Sequence, residues 1–127
     1  MKISILCSDP NHPVNSYLKN WADSRGKDHQ IEIVQSKRQL AGGDILFLVS
    51  CSEIITSKDR SLYRAALVLH ASDLPSGRGW SPHIWEVIGG AQEITTSIIE
   101  AEDKVDSGDI WGQVKFHVPK HALWDEI

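Results

Sequence analysis

Asp44-Ile-Leu-Phe-Leu-Val-Ser50 is the stretch that decides the fold. Every position from Ile45 to Val49 is apolar. A strand with one wet face alternates apolar and polar residues; a strand covered on both faces need not. Ala66-Leu-Val-Leu69 repeats the pattern further on. Lys2-Ile-Ser-Ile-Leu-Cys7 and His29-Gln-Ile-Glu-Ile-Val34 give two more strands before it, bounded by Ser8-Asp9-Pro10-Asn11 and Gly26. Between them, Pro13 opens a helix that runs to about Ser24. Val14, Tyr17, Leu18 and Trp21 recur at helical spacing and form its expected apolar face. Residues 35–43 have room for a single helical turn, and residues 57–64 for a short helix. Trp80 or Ser81 begins another helix, closed by Gly89-Gly90. Residues 93–101 and 110–118 alternate as strands around a tight turn at 104–108. Ala122-Leu-Trp-Asp-Glu-Ile127 starts a further helix. Strands alternating with helices predict an α/β fold. The sheet is mostly parallel, with an antiparallel C-terminal strand pair.

The chain has 127 residues, enough for one core and one domain. A net charge of −4 disfavours a nucleic-acid partner, because phosphate binding needs a basic face. No apolar run approaches the ~20 residues of a membrane span, and the apolar part of residues 1–7 is too short for a signal peptide. The expected location is cytoplasmic. Cys7 and Cys51 lie in apolar runs and read as free buried thiols. His83, His117 and His121 have no metal-ligand spacing, so no metal is expected.

In open α/β sheets, ligands bind beyond the carboxyl ends of strands. His70 stands at such an end, before the Pro/Gly loop of residues 74–79. Asp106 sits in Asp106-Ser-Gly-Asp109, where a turn fixes its position. A fixed imidazole near a fixed carboxylate can move a proton and stabilise the charge that results. Each also has a bland reading: a strand-capping histidine, and a turn aspartate bonded to its own backbone. Trp80 and Trp85 read as packing around the loop, or as an aromatic wall of a pocket.

The composite His70-x-Ser72-x-Leu74-Pro75-x-x-Arg78-Gly79, then Pro82-x-x-Trp85-x-x-x-x-Gly90, then Asp106-Ser-Gly108-x-Ile110, resembles the formyltransferase family. The resemblance implies a Rossmann-like formyltransferase domain spanning residues 1–127, shortened before Asp44 and truncated at the C-terminus. It also implies transfer of a formyl group from 10-formyltetrahydrofolate to an amine. The family's catalytic set is an Asn, a His two positions later, and an Asp in an Asp-x-Gly turn. His70 and Asp106 match. Val68 stands at the Asn position and cannot hydrogen-bond; His70 itself, Ser50 or a backbone N–H could supply the missing oxyanion donor. By the same resemblance, Ser50, Cys51, Ser52 and Ile54, with Val105 and Gly108, would hold the folate. Ser72, Arg78, Gly79 and Trp80 would hold the acceptor. A small-molecule amine, such as an amino-sugar nucleotide of surface-polysaccharide synthesis, is the expected acceptor. Two alternatives stay open: a catalytically silent folate- or nucleotide-binding relative, and a hydrolase of formyltetrahydrofolate.

Overall fold

The protein is described by a computed structural model covering residues 1–74, 82–104 and 106–119. The chain divides into two compact units, Met1–Leu67 and Val68–Ile127, and strand β4 (Tyr63–His70) crosses from one into the other.

The first unit is built around β1 (Lys2–Leu6). It pairs in parallel with β2 (Gln30–Val34) on one side and β3 (Gly43–Val49) on the other. Its side chains are therefore enclosed, and Ile5, Leu6 and Leu46 are among the fully buried residues. Burying each such side chain contributes roughly 1.5–3 kcal/mol. The apolar run Ile45–Val49 is thus the inner part of β3, with Leu46, Leu48 and Val49 in the core. A glycine precedes it for a steric reason. A Cβ on Gly43 would lie 2.8 Å from the Lys2 carbonyl oxygen, so a larger residue would push β3 off β1. One polar group is buried with them. Ser4 Oγ donates to Glu32 Oε1 at 2.6 Å and accepts from Tyr63 Oη at 2.8 Å. Tyr63 Oη in turn accepts from the Gly42 N–H at 3.2 Å.

Helix α1 (Val14–Arg25) forms where the spacing predicts it, but its inward face is rotated. Tyr17 and Trp21 are exposed, at 61% and 40%, whereas Val14, Leu18 and Ala22 are half-buried. The row at i, i+4, i+8 carries the packing, and the two aromatics flank it in solvent. A 3₁₀ turn (Lys37–Gln39) links β2 to β3, and a four-residue helix α2 (Ser57–Arg60) precedes β4. Both open with capping boxes, Ser36 with Gln39 and Thr56 with Asp59, in which side chains satisfy the first backbone N–H groups.

In the second unit, α3 (Pro82–Ile88) is followed by Gly89 and by Gly90 at φ +96°, a conformation that favours glycine. The Ala91 N–H donates to the Glu86 carbonyl at 2.9 Å and closes the helix. Trp85 is 71% exposed; the loop it is expected to pack around or line, residues 75–81, lies outside the described residues. Strands β5 (Glu93–Glu100) and β6 (Ile110–His117) pair antiparallel. Ile94 and Ile99 are buried together with Thr95 and Ser97, while β6 carries Trp111, Val114 and Phe116 largely exposed. The architecture is therefore α/β, parallel around β1 with an antiparallel C-terminal pair. The helix expected at 122–127 lies outside the described residues. None of the described helices is long and apolar enough to cross a membrane.

Candidate functional site

His70 is the last residue of β4 and is 7% exposed. The Ser72 N–H donates to the His70 carbonyl at 3.0 Å, which turns the chain sharply after the strand. Within the same unit, Asp106 follows β5 in the turn that leads to β6. Its Oδ1 lies 3.6 Å from His70 Nδ1, and both side chains are nearly buried. That separation is beyond a direct hydrogen bond but short for charge attraction between two nearly buried groups. A carboxylate facing Nδ1 can orient an imidazole ring.

The Asp106 turn is held by backbone contacts. Asp106 itself has φ +54°, the left-handed region, which costs a non-glycine residue roughly 1–2 kcal/mol. Aspartate tolerates this better than most residues. The Glu100 N–H donates to the Asp109 carbonyl at 2.8 Å, and Ser107 Oγ donates to the Lys104 carbonyl at 2.7 Å. Gly108 passes so close to Glu100 that a Cβ there would run into its carbonyl group, lying 2.7 Å from the carbonyl carbon. The glycine of the Asp-x-Gly pattern is thus required by packing, and it fixes where Asp106 stands.

Val68 shares β4 with His70 two residues earlier, on the same side of the strand. It contributes no hydrogen-bonding group there. Ser72 is fully buried, and its Oγ has no hydrogen-bond partner among the described residues. Val105, Arg78, Gly79 and Trp80 lie outside the described residues.

Ser50, Cys51, Ser52 and Ile54 fall together in the loop after β3, in the first unit. Ser50 has φ +51°, so the described non-glycine residues with left-handed backbone are two predicted site residues, Ser50 and Asp106. Strain of this kind persists only where the surroundings enforce it. Here the Ser52 N–H donates to Ser8 Oγ at 3.0 Å and the Ser8 N–H to the Ser50 carbonyl at 3.4 Å. Lys37 clamps the far end of the loop, its N–H donating to Glu53 Oε1 at 2.9 Å and its Nζ to the Ile54 carbonyl at 3.1 Å. Neither Lys37 nor Glu53 stood out in the sequence, because isolated charges in polar loops carry no spacing signal. Ile54 is 81% exposed. Burial pushes the thiols of Cys7 and Cys51 above the ordinary range, and both are free. Among the described residues, no group of three or more His, Cys, Asp or Glu is placed to hold a metal.

The chain is thus an α/β domain in which an imidazole at the end of β4 and a carboxylate in the β5–β6 turn lie close together. Residues 5–126 match the family model described as Formyl transferase, and the chain belongs to that family. It is 42% identical over 117 residues to a methionyl-tRNA formyltransferase of Mycoplasma genitalium, covering 85% of this chain and 38% of that protein. Its fold matches a methionyl-tRNA formyltransferase from Clostridium thermocellum with a TM-score of 0.77 at 21% identity, covering 92% of this chain and 53% of that one. It also matches the formyltransferase PseJ from Anoxybacillus kamchatkensis, solved with UDP-4,6-dideoxy-4-formamido-L-AltNAc and tetrahydrofolate. That match has a TM-score of 0.67 at 19% identity, covering 94% of this chain and 62% of that one. The chain spans well under half the length of the curated relatives it matches.

Proposed function

We propose that the chain carries the catalytic pair of a formyltransferase, moving a formyl group from 10-formyltetrahydrofolate to a primary amine. The observation that carries this is the buried His70–Asp106 pair, with Nδ1 and Oδ1 3.6 Å apart. The amine nitrogen attacks the formyl carbon, forming the new C–N bond and a tetrahedral oxyanion. The bond from that carbon to N10 of the folate then breaks. One proton leaves the amine and one reaches N10, so the products are a formamide and tetrahydrofolate. His70 accepts and returns the proton; Asp106 orients the ring and stabilises the imidazolium. The imidazolium also faces the developing oxyanion, a role that matters more here because Val68 offers no donor. The loop of Ser50, Cys51, Ser52 and Ile54 would receive the folate.

The acceptor we propose is a small amine, with an amino-sugar nucleotide favoured. Two things support it: the chain's net charge of −4, which disfavours tRNA, and the nucleotide sugar bound by PseJ. The test incubates the protein with 10-formyltetrahydrofolate and, separately, amino-sugar nucleotides and charged initiator tRNA, following tetrahydrofolate release and formamide formation. Formylation of a sugar nucleotide supports the reading. Formate release at equal rate with and without any amine would replace it by hydrolysis.

Val68 favours one second reading, a binding domain that has lost turnover. Losing one oxyanion donor typically costs ~10²–10³ in rate. Under that reading, calorimetry shows tetrahydrofolate binding without turnover, and Val68→Asn restores formyl transfer.

A further inference from the structure

Gln113 lies on β6 directly across from Ser97 on β5. Its Nε2 donates to Ser97 Oγ at 2.9 Å and to Asp73 Oδ1 at 3.2 Å. Ser97 is fully buried, and its hydroxyl donates onward to the Ser72 carbonyl at 2.7 Å. The Ser72 N–H donates to the His70 carbonyl at 3.0 Å. A continuous run of hydrogen bonds thus links the edge strand to the backbone of His70. The donor directions are forced. A carboxylate can only accept, so the amide nitrogen must face Asp73. The hydroxyl proton of Ser97 is committed to Ser72, so its lone pair must accept from Gln113.

His70 needs such an anchor because β4 ends at it, and the chain bends at once into Ser72 and Asp73. Gln113 holds both residues of that bend, Asp73 directly and Ser72 through Ser97. We propose that Gln113 is a positioning residue of the His70–Asp106 pair. It fixes the backbone that follows His70, so that the ring stays aimed at Asp106. This rests on the formyl-transfer reading for its effect on rate, but not for its effect on the ring.

Glutamate at this position keeps the shape and removes the donors. Its carboxylate would face the Asp73 carboxylate, and like charges repel. The experiment compares wild type, Gln113→Glu, Gln113→Met and the double variant Asp73→Asn with Gln113→Glu. It reads the His70 ring ¹⁵N resonances by NMR, the melting temperature, and kcat and KM for the formyl donor. Gln113→Glu should shift the His70 resonances and lower kcat roughly 10- to 100-fold, as a misplaced catalytic group does, with the donor KM unchanged. Adding Asp73→Asn should recover part of both, because the new amide can donate to the new carboxylate across the pair. If Gln113→Glu does not fold, Gln113→Met, which lacks both donors and adds no charge, decides by the same readouts. Unshifted His70 resonances in a folded variant, with only the melting temperature lowered, would overturn the proposal and leave Gln113 as a staple of the strand pair. Absence of turnover in the wild type would count against the formyl-transfer reading alone, and the resonances would still decide the role of Gln113.

Discussion

Gly108→Ala is the substitution for which the structure gives the largest worked effect away from a functional side chain. A Cβ at Gly108 meets the carbonyl group of Glu100, with the carbonyl carbon at 2.7 Å and Cα at 3.2 Å. These are backbone atoms of β5 and cannot rotate aside as a side chain would. Forcing a methyl into such a space costs about 1–3 kcal/mol. Separating the two segments also strains the bond from the Glu100 N–H to the Asp109 carbonyl, now 2.8 Å, worth about 1 kcal/mol. The expected loss is therefore about 2–4 kcal/mol, or roughly 10 °C in melting temperature for a chain of this size. Gly112 is the internal control. It lies on the adjoining strand β6, and a Cβ there meets nothing within 4 Å among the described residues. Gly112→Ala should be neutral or slightly stabilising, since glycine weakens a strand interior. Differential scanning fluorimetry of both variants reads the difference. Equal melting temperatures would refute the claim that close backbone approach, rather than turn propensity, dictates this glycine. Where Gly108→Ala still folds, Asp106 moves with the turn, and formyl transfer should fall further than stability does.

Further outcomes follow from other parts of the molecule. Ser50→Gly relieves the left-handed backbone at φ +51° and should raise stability by about 0.5–1 kcal/mol, whereas β-branched Ser50→Val should lower it; chemical denaturation checks the order. Tyr63→Phe removes the hydroxyl that joins Gly42 to Ser4, leaving a part-buried donor unpaired, and should cost about 1–3 kcal/mol in a urea titration. Cys7 and Cys51 have thiols raised from the ordinary value of 9.0, chiefly by burial. Their stabilising contribution is complete below that pH and is lost as pH rises through the folded-state values, because the unfolded chain ionises first. Unfolding midpoints should therefore drop above pH 9, and less so in a Cys7→Ala, Cys51→Ala variant.

Much of the fold was legible because hydrophobic period reports burial directly. The unbroken run at Ile45–Val49 announced an enclosed strand, and the apolar approach to His70 announced a strand end. Helix α1 was legible in extent but not in orientation. Tyr17 and Trp21 fit a helical stripe on paper, yet the stripe that packs is Val14, Leu18 and Ala22. A single helix offers overlapping i, i+3, i+4 rows, and tertiary packing chooses among them. His70 and Asp106 were singled out by strand-end and turn chemistry together with the family resemblance, though not their 3.6 Å approach, which depends on the whole course of β5. Left-handed backbone at Ser50 and Asp106 has no sequence marker, since neither is a glycine. Gln113 was hidden by the rule that revealed β6. In an alternating strand a polar residue reads as the solvent face, but this one binds the buried Ser97 across the ladder. Gly108 looked like a turn glycine, and its reason is the neighbouring strand.

The most direct test of the account is single-turnover formyl transfer from 10-formyltetrahydrofolate to the preferred amine by wild type, His70→Ala and Asp106→Ala. Melting curves establish that all three are folded. Removing the proton-transfer group should lower the rate roughly 10²–10⁴-fold, and removing its orienting carboxylate should do so to a comparable degree. The double variant should be little slower than the worse single one, because the two act as a unit. Folded His70→Ala and Asp106→Ala proteins that turn over at the wild-type rate would contradict the assignment of the chemistry to this pair.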